Sequence, residues 1–134
     1  MKQRIDVTGV SAAGAPYASA IAVSGATMIF TSGVLARDAE SGAIAPRGDA
    51  EQQTQRCLDS IERILRAAGA SLPHIVKMTV FLRRQADYEA MNRARRARLA
   101  GIDYASSTVL AGLVAEDALV EIECVAALPG RAAS

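Results

Sequence analysis

The stretch from Asp49 to Leu82 constrains the architecture of this chain more than any other. Between Asp49 and Gly69 the apolar side chains Cys57/Leu58, Ile61, Ile64/Leu65 and Ala68 recur at i, i+3/4 and i+7. That spacing predicts an amphipathic helix with Asp49 as its N-cap and Gly69 as its left-handed stop. Directly afterwards Val76, Met78, Val80 and Leu82 alternate with Lys77, Thr79 and Phe81, the period-two pattern of a strand with one apolar face. A one-sided helix next to a one-sided strand predicts a layer of helix on a layer of sheet, because each buries the other's apolar side.

The rest of the chain extends the same pattern. Ala18 to Val23 and Thr27 to Thr31 flank Ser24-Gly25 and read as a hairpin, with a short extra strand at Arg4 to Val7. Ala36 to Gly48 has the Asp, Ser, Gly and Pro residues of an exposed loop. A second helix is expected from about Ala86 to Ala100, with Asp87 and Glu89 in its first turn and Arg93, Arg95, Arg96 and Arg98 toward its end, the polarity the helix dipole favours. Strands at about Ser106 to Ala111 and Leu119 to Ala127, joined near Gly112 to Asp117, complete a β-β-α-β-α-β-β order. This is an α+β fold, a sheet with two helices on one face, and the other sheet face needs a cover that oligomerisation can supply.

Composition narrows the function. At 134 residues the chain is expected to form one domain over 1–134, and 51% hydrophobic with 22% charged residues is a globular balance. A net charge of +1 offers no broad field for nucleic acid or anionic membrane, and the arginines from Arg93 to Arg98 lack interleaved aromatics, so they read as a solvated helix end. No apolar run reaches the roughly 18 residues of a membrane span, and the N-terminus lacks a signal-peptide core, which leads to the expectation of a soluble, cytoplasmic protein. His74 is the only histidine, and Cys57 and Cys124 are far apart on apolar positions. We therefore expect buried, reduced thiols and neither a metal site nor a cofactor.

Glu121 and Glu123 lie on the last strand, where alternation places both carboxylates on one face, roughly 7 Å apart, with Ile122 and Cys124 facing the other way. Such a pair is either a solvated strand face or an acid and base for proton transfer.

Six segments in order, Ala15-Pro16-Tyr17, MIFTSG at 28–33, RCLDSIERILRAAG at 56–69, IVKMTVFL at 75–82, DYEAMN at 87–92 and VEIECVA at 120–126, resemble the RidA/YjgF family of small trimeric enamine/imine deaminases. The resemblance implies a chorismate-mutase-like fold, a homotrimer whose sheets form a central barrel, and a small-molecule site at each subunit interface. It implies that Glu121 positions the attacking water and that Tyr17, Ser32 and Asn92 line the pocket. It also exposes a departure. The family's deaminases carry an arginine fifteen residues before the first Glu of E-I-E, and counting back from Glu121 lands on Ser106, with Tyr104 in place of a proline and Thr108 where backbone helps hold the water. Serine cannot grip a carboxylate with the two charge-assisted bonds of a guanidinium. Arg83 and Arg84 are candidates to replace it, with solvation as the alternative. The sequence thus points to a hydrolase for an imine, enamine or related metabolite without a well-placed carboxylate, its pocket shaped by Tyr17, Ser32, Asn92, Ser106 and Thr108, or to a non-catalytic binding trimer of the same fold.

Overall fold

The amphipathic helix and the alternating strand meet as their patterns require in the computed structural model of the protein, which describes residues 2–130. Helix α1, Ala50–Ala67, begins at Asp49, whose side chain accepts from the Gln52 amide at 2.9 Å, and it ends ahead of Gly69 at φ +81°. Its inward stripe, Cys57, Leu58, Ile61 and Leu65, has no solvent exposure. Below it runs β5, Ile75–Leu82, in which Met78, Val80 and Leu82 are buried and Lys77, Thr79 and Phe81 are only partly so.

Strand β5 pairs in parallel with β6, Ala105–Leu110, and antiparallel with β7, Val120–Pro129. On the far side of β7 lie β3, Ala26–Phe30, and the two-residue β4, Val34–Leu35, giving the order β3-β7-β5-β6 with β4 also on β7. Helix α2, Tyr88–Arg98, follows a 3₁₀ turn at Gln85–Asp87 and packs on the same sheet face as α1. This is the expected α+β fold with two helices on one face.

The expected hairpin is corrected. Strand β2, Ala20–Val23, does not pair with β3; it pairs with β1, Lys2–Ile5, in a separate two-stranded sheet. The Ser24-Gly25 turn is present, with Gly25 at φ +59°, but β3 takes β7 as its partner over five residue pairs, from Ala26 with Pro129 to Phe30 with Val125. The Lys2 ammonium fastens the small sheet to the main one by donating to the carbonyls of Pro73, Ile75 and Asp103 at 2.7, 3.1 and 2.9 Å. Just beyond, the Ala18 amide donates to the Tyr104 carbonyl at 2.8 Å, which lays the segment carrying Tyr17 against the start of β6.

Two loops are held by side chains. Gln53, fully buried on α1, donates through Nε2 to the carbonyls of Pro46 (2.9 Å) and Asp117 (3.2 Å) and accepts from the Leu119 amide at 2.9 Å. Arg83 donates to the carbonyls of Ala118, Leu113 and Ala115 at 2.7, 2.9 and 2.8 Å. No described helix is long and apolar enough to cross a membrane.

Candidate functional site

Strand register sorts the expected site residues onto two faces of one sheet. Glu121 and Glu123 stand opposite Phe81 and Thr79, so they point away from the helices. Ser106 and Thr108 stand beside Met78 and Val80, so they point toward them.

On the helix-free face, Glu121 is half-buried and lies on Gly33 in the β3–β4 turn. A Cβ at Gly33 would come within 2.0 Å of Glu121 Oε2 and 2.9 Å of its Cδ, so the carboxylate occupies the space a side chain would fill. Ser32, beside it, is exposed. Among the described residues no lysine or arginine pairs with Glu121. Behind it, burial pushes the Cys57 thiol up to about 12, with the Glu121 charge adding to the effect, and Cys57 Sγ donates to the Val34 carbonyl at 3.3 Å. Burial, followed by the charge of Glu123 and against a hydrogen bond from Thr31, also raises Cys124 to about 11. Both cysteines are free and buried, and neither is a nucleophile near neutral pH. Among the described residues no group of acidic, histidine or cysteine side chains is placed to hold a metal ion.

On the helix side, Tyr17, Asn92, Ser106 and Thr108 converge on a residue that the sequence reading left in solvent. Arg95 is 1% exposed. Its Nε and Nη2 donate to Asn92 Oδ1 at 3.0 and 2.7 Å, and its Nη1 donates to Ser106 Oγ at 3.0 Å and, at 3.5 Å, to Thr108 Oγ1. The Tyr17 ring lies under the guanidinium, 5.5 Å from Cζ to centroid. The solvated helix end is therefore corrected at this position: Arg93, Arg96 and Arg98 are at least partly exposed, while Arg95 turns inward. The phase of α2 explains why. Met91, Ala94, Arg95 and Leu99 recur at i, i+3, i+4 and i+8 and are all buried, so Arg95 sits within the apolar stripe, and Asn92 three residues earlier supplies an acceptor on the same side. That spacing was the available signal.

Within the chain neither Arg83 nor Arg84 bonds to Ser106. Arg83 is committed to its three loop carbonyls, and Arg84 pairs with Asp87 through Nε and Nη2 at 2.8 and 3.2 Å. A guanidinium does reach the Ser106 hydroxyl, but it comes from α2 rather than β6.

Comparison with known proteins agrees with this architecture. The profile of the family described as endoribonuclease L-PSP matches residues 8–128. The 3-aminoacrylate deaminase RutC of Acinetobacter baylyi is 38% identical over 112 residues, 84% of this chain and 86% of that protein. The chloroplastic Reactive Intermediate Deaminase A of Arabidopsis thaliana is 32% identical over 127 residues, 95% of this chain and 66% of that protein. Among solved structures, the Rid-family protein YyfA of Yersinia pestis superposes with a TM-score of 0.71 at 32% identity, covering 96% of this chain and 100% of that one. YyfB of the same organism reaches 0.84 at 24% identity, covering 95% and 98%. With profile, relatives and fold in agreement over nearly the whole described chain, the protein belongs to the RidA/YjgF family.

Proposed function

We propose that this protein hydrolyses a small imine or enamine at a pocket shared between copies of the chain in a homotrimer, with Glu121 as the group that activates water. The observation that carries the reading is the seating of Glu121: a half-buried carboxylate laid over Gly33 with no cationic partner among the described residues. Such a carboxylate is free to accept a proton. As water oxygen adds to the carbon of the C=N bond, Glu121 takes the water proton and passes it to nitrogen. The carbinolamine then gives up its hydroxyl proton to nitrogen by way of the same carboxylate as the C–N bond breaks, leaving a carbonyl compound and ammonia. An enamine enters the same sequence once its carbon has gained a proton and its nitrogen has lost one, the net shift that gives the imine.

The need for more than one copy follows from the two faces. Within one chain the sheet separates Glu121 from Asn92, Ser106 and Thr108, so a pocket that uses both sets draws them from neighbouring copies. The exposed apolar residues support the same assembly: Phe30 is 73% exposed, Met28 41% and Val109 44%, and register places all three on the helix-free face. Ser32, on the same turn as Gly33, and Tyr17, on the Arg95 side, line the two halves. The activity in the name of the RutC relative, deamination of 3-aminoacrylate, supports the substrate class.

The test is turnover. Ammonia release from enzymatically generated imines and enamines should fall to background in Glu121→Gln with little change in the thermal midpoint, while Glu123→Gln keeps most of the activity. Equal loss in both variants would mean that the wrong carboxylate has been chosen. Ligand binding without any turnover in the wild type would identify a binding protein instead.

A further inference from the structure

Helix α2 carries a cation inside the protein and leaves it without an anion. Among the described residues no carboxylate lies within ion-pair distance of Arg95, whereas its more exposed neighbours are paired, Arg93 with Glu51 and Arg98 with Asp59 and Glu62. The reverse distribution is the physical expectation, because water serves an exposed guanidinium and a buried one needs a counter-charge. Neutral oxygens offset only part of that. Of the five guanidinium hydrogens, the bonds to Asn92, Ser106 and Thr108 engage four, and one hydrogen on Nη2 is left over among the described residues.

Two further observations converge on the same point. The hydroxyl of Tyr104, a fully buried residue, has no hydrogen-bond partner among the described residues. Burial raises the pKa of that phenol, and the charge of Arg95 acts against the shift. In addition, a groove of about 560 Å³ opens between α2 and β6, lined by Leu82, Gln85, Tyr88, Thr108 and Leu110 among others. Thr108 joins the groove to the cation, and its 3.5 Å contact with Nη1 is the longest of the four bonds and so the easiest to displace. Glu89 also borders the groove, but it is exposed, where solvent and salt screen its charge.

We infer that Arg95 is the anchor for the carboxylate of a small organic acid that enters by the α2–β6 groove. One carboxylate oxygen takes the Nη1 hydrogen that Thr108 holds weakly, and the other takes the uncommitted Nη2 hydrogen, the two parallel bonds for which guanidinium and carboxylate are matched. The proposal deepens the hydrolase reading by giving its substrate an acid group, yet the binding itself requires nothing of Glu121.

Calorimetric titration of the assembled wild-type protein with pyruvate and with its neutral counterpart pyruvamide tests this. The acid should bind at least about tenfold more tightly than the amide. Arg95→Lys should narrow that preference and Arg95→Gln should remove it. Equal binding of acid and amide by the wild type, or binding of neither, overturns the proposal without reference to any variant's folding. So does a preference that survives Arg95→Gln in a protein that still melts cooperatively. An acid preference that depends on Arg95, in a protein without Glu121-dependent turnover, would instead sink the hydrolase reading and leave the anchor standing.

Discussion

Gly33 matters for what it lacks. The Glu121 carboxylate lies where a Cβ would stand, with Oε2 2.0 Å from that point, so Gly33→Ala has to push the carboxylate away. The displaced atoms are the far end of a flexible side chain, and Gly33 is exposed, so the fold tolerates the change while the proposed catalytic geometry does not. We expect turnover to drop by roughly tenfold to a hundredfold, in line with the sensitivity of catalysis to misplacement of about 1 Å, with a thermal midpoint close to wild type by differential scanning calorimetry. A large loss of stability with unchanged activity in the surviving fold would show that Glu121 is not seated there for chemistry. At this scale the sequence was informative where a residue's role follows from its own strand: Glu121 and Glu123 do share a face. It was misleading at Arg95, where a cluster of four arginines in six positions reads as solvated. Only the inward phase shared with Met91, Ala94 and Leu99 separates one of them from the rest, and the partners Ser106 and Thr108 are more than ten residues away.

At the scale of elements, α1 and β5 were legible because their periodicities are local and their stop signals sit beside them, Asp49 and Gly69 at the two ends of the helix. The pairing of β2 and β3 was not. Two apolar strands around Ser-Gly satisfy the pattern of a hairpin, but the choice between β2 and the distant β7 as partner for β3 is a competition that local sequence does not encode. Helix α1 also does something its apolar stripe conceals. Gln53 bonds to the backbone of the loop before the helix and to the segment leading into β7. Gln53→Ala would leave the buried Leu119 amide and two carbonyls without their partner, at about 1–3 kcal/mol for each polar group that water does not reach. The expected result is a thermal midpoint lower by several degrees with the ligand preference between acid and amide unchanged. A neutral substitution would mean that water replaces the amide in full.

For the whole molecule, the separation of Glu121 from Arg95 by the thickness of the sheet makes a prediction that no single chain could fulfil. Glu121→Gln and Arg95→Gln should each be inactive toward an acid-bearing substrate, yet co-refolded in equal amounts they should recover about a quarter of wild-type activity, because random assembly around a closed ring gives each shared site that chance of receiving one intact residue from each neighbour. Light scattering on the same mixture should return a trimer mass. No recovery from a correctly assembled mixture would place both residues' functions within one chain, or outside catalysis.

Arg83 adds a kinetic consequence. Its guanidinium ties the carbonyls of Leu113, Ala115 and Ala118, so the connection between β6 and β7 is riveted at three points although Val114 at its tip is fully in solvent. Opening that connection would break charge-assisted bonds, which makes it a poor lid. In the proposed shared-site enzyme, shelter for the reacting centre then comes from a neighbouring copy, already in place before the ligand arrives. An enzyme built that way is gated by assembly rather than by loop closure, and dilution below the dissociation range of the oligomer should silence it as completely as losing a catalytic residue.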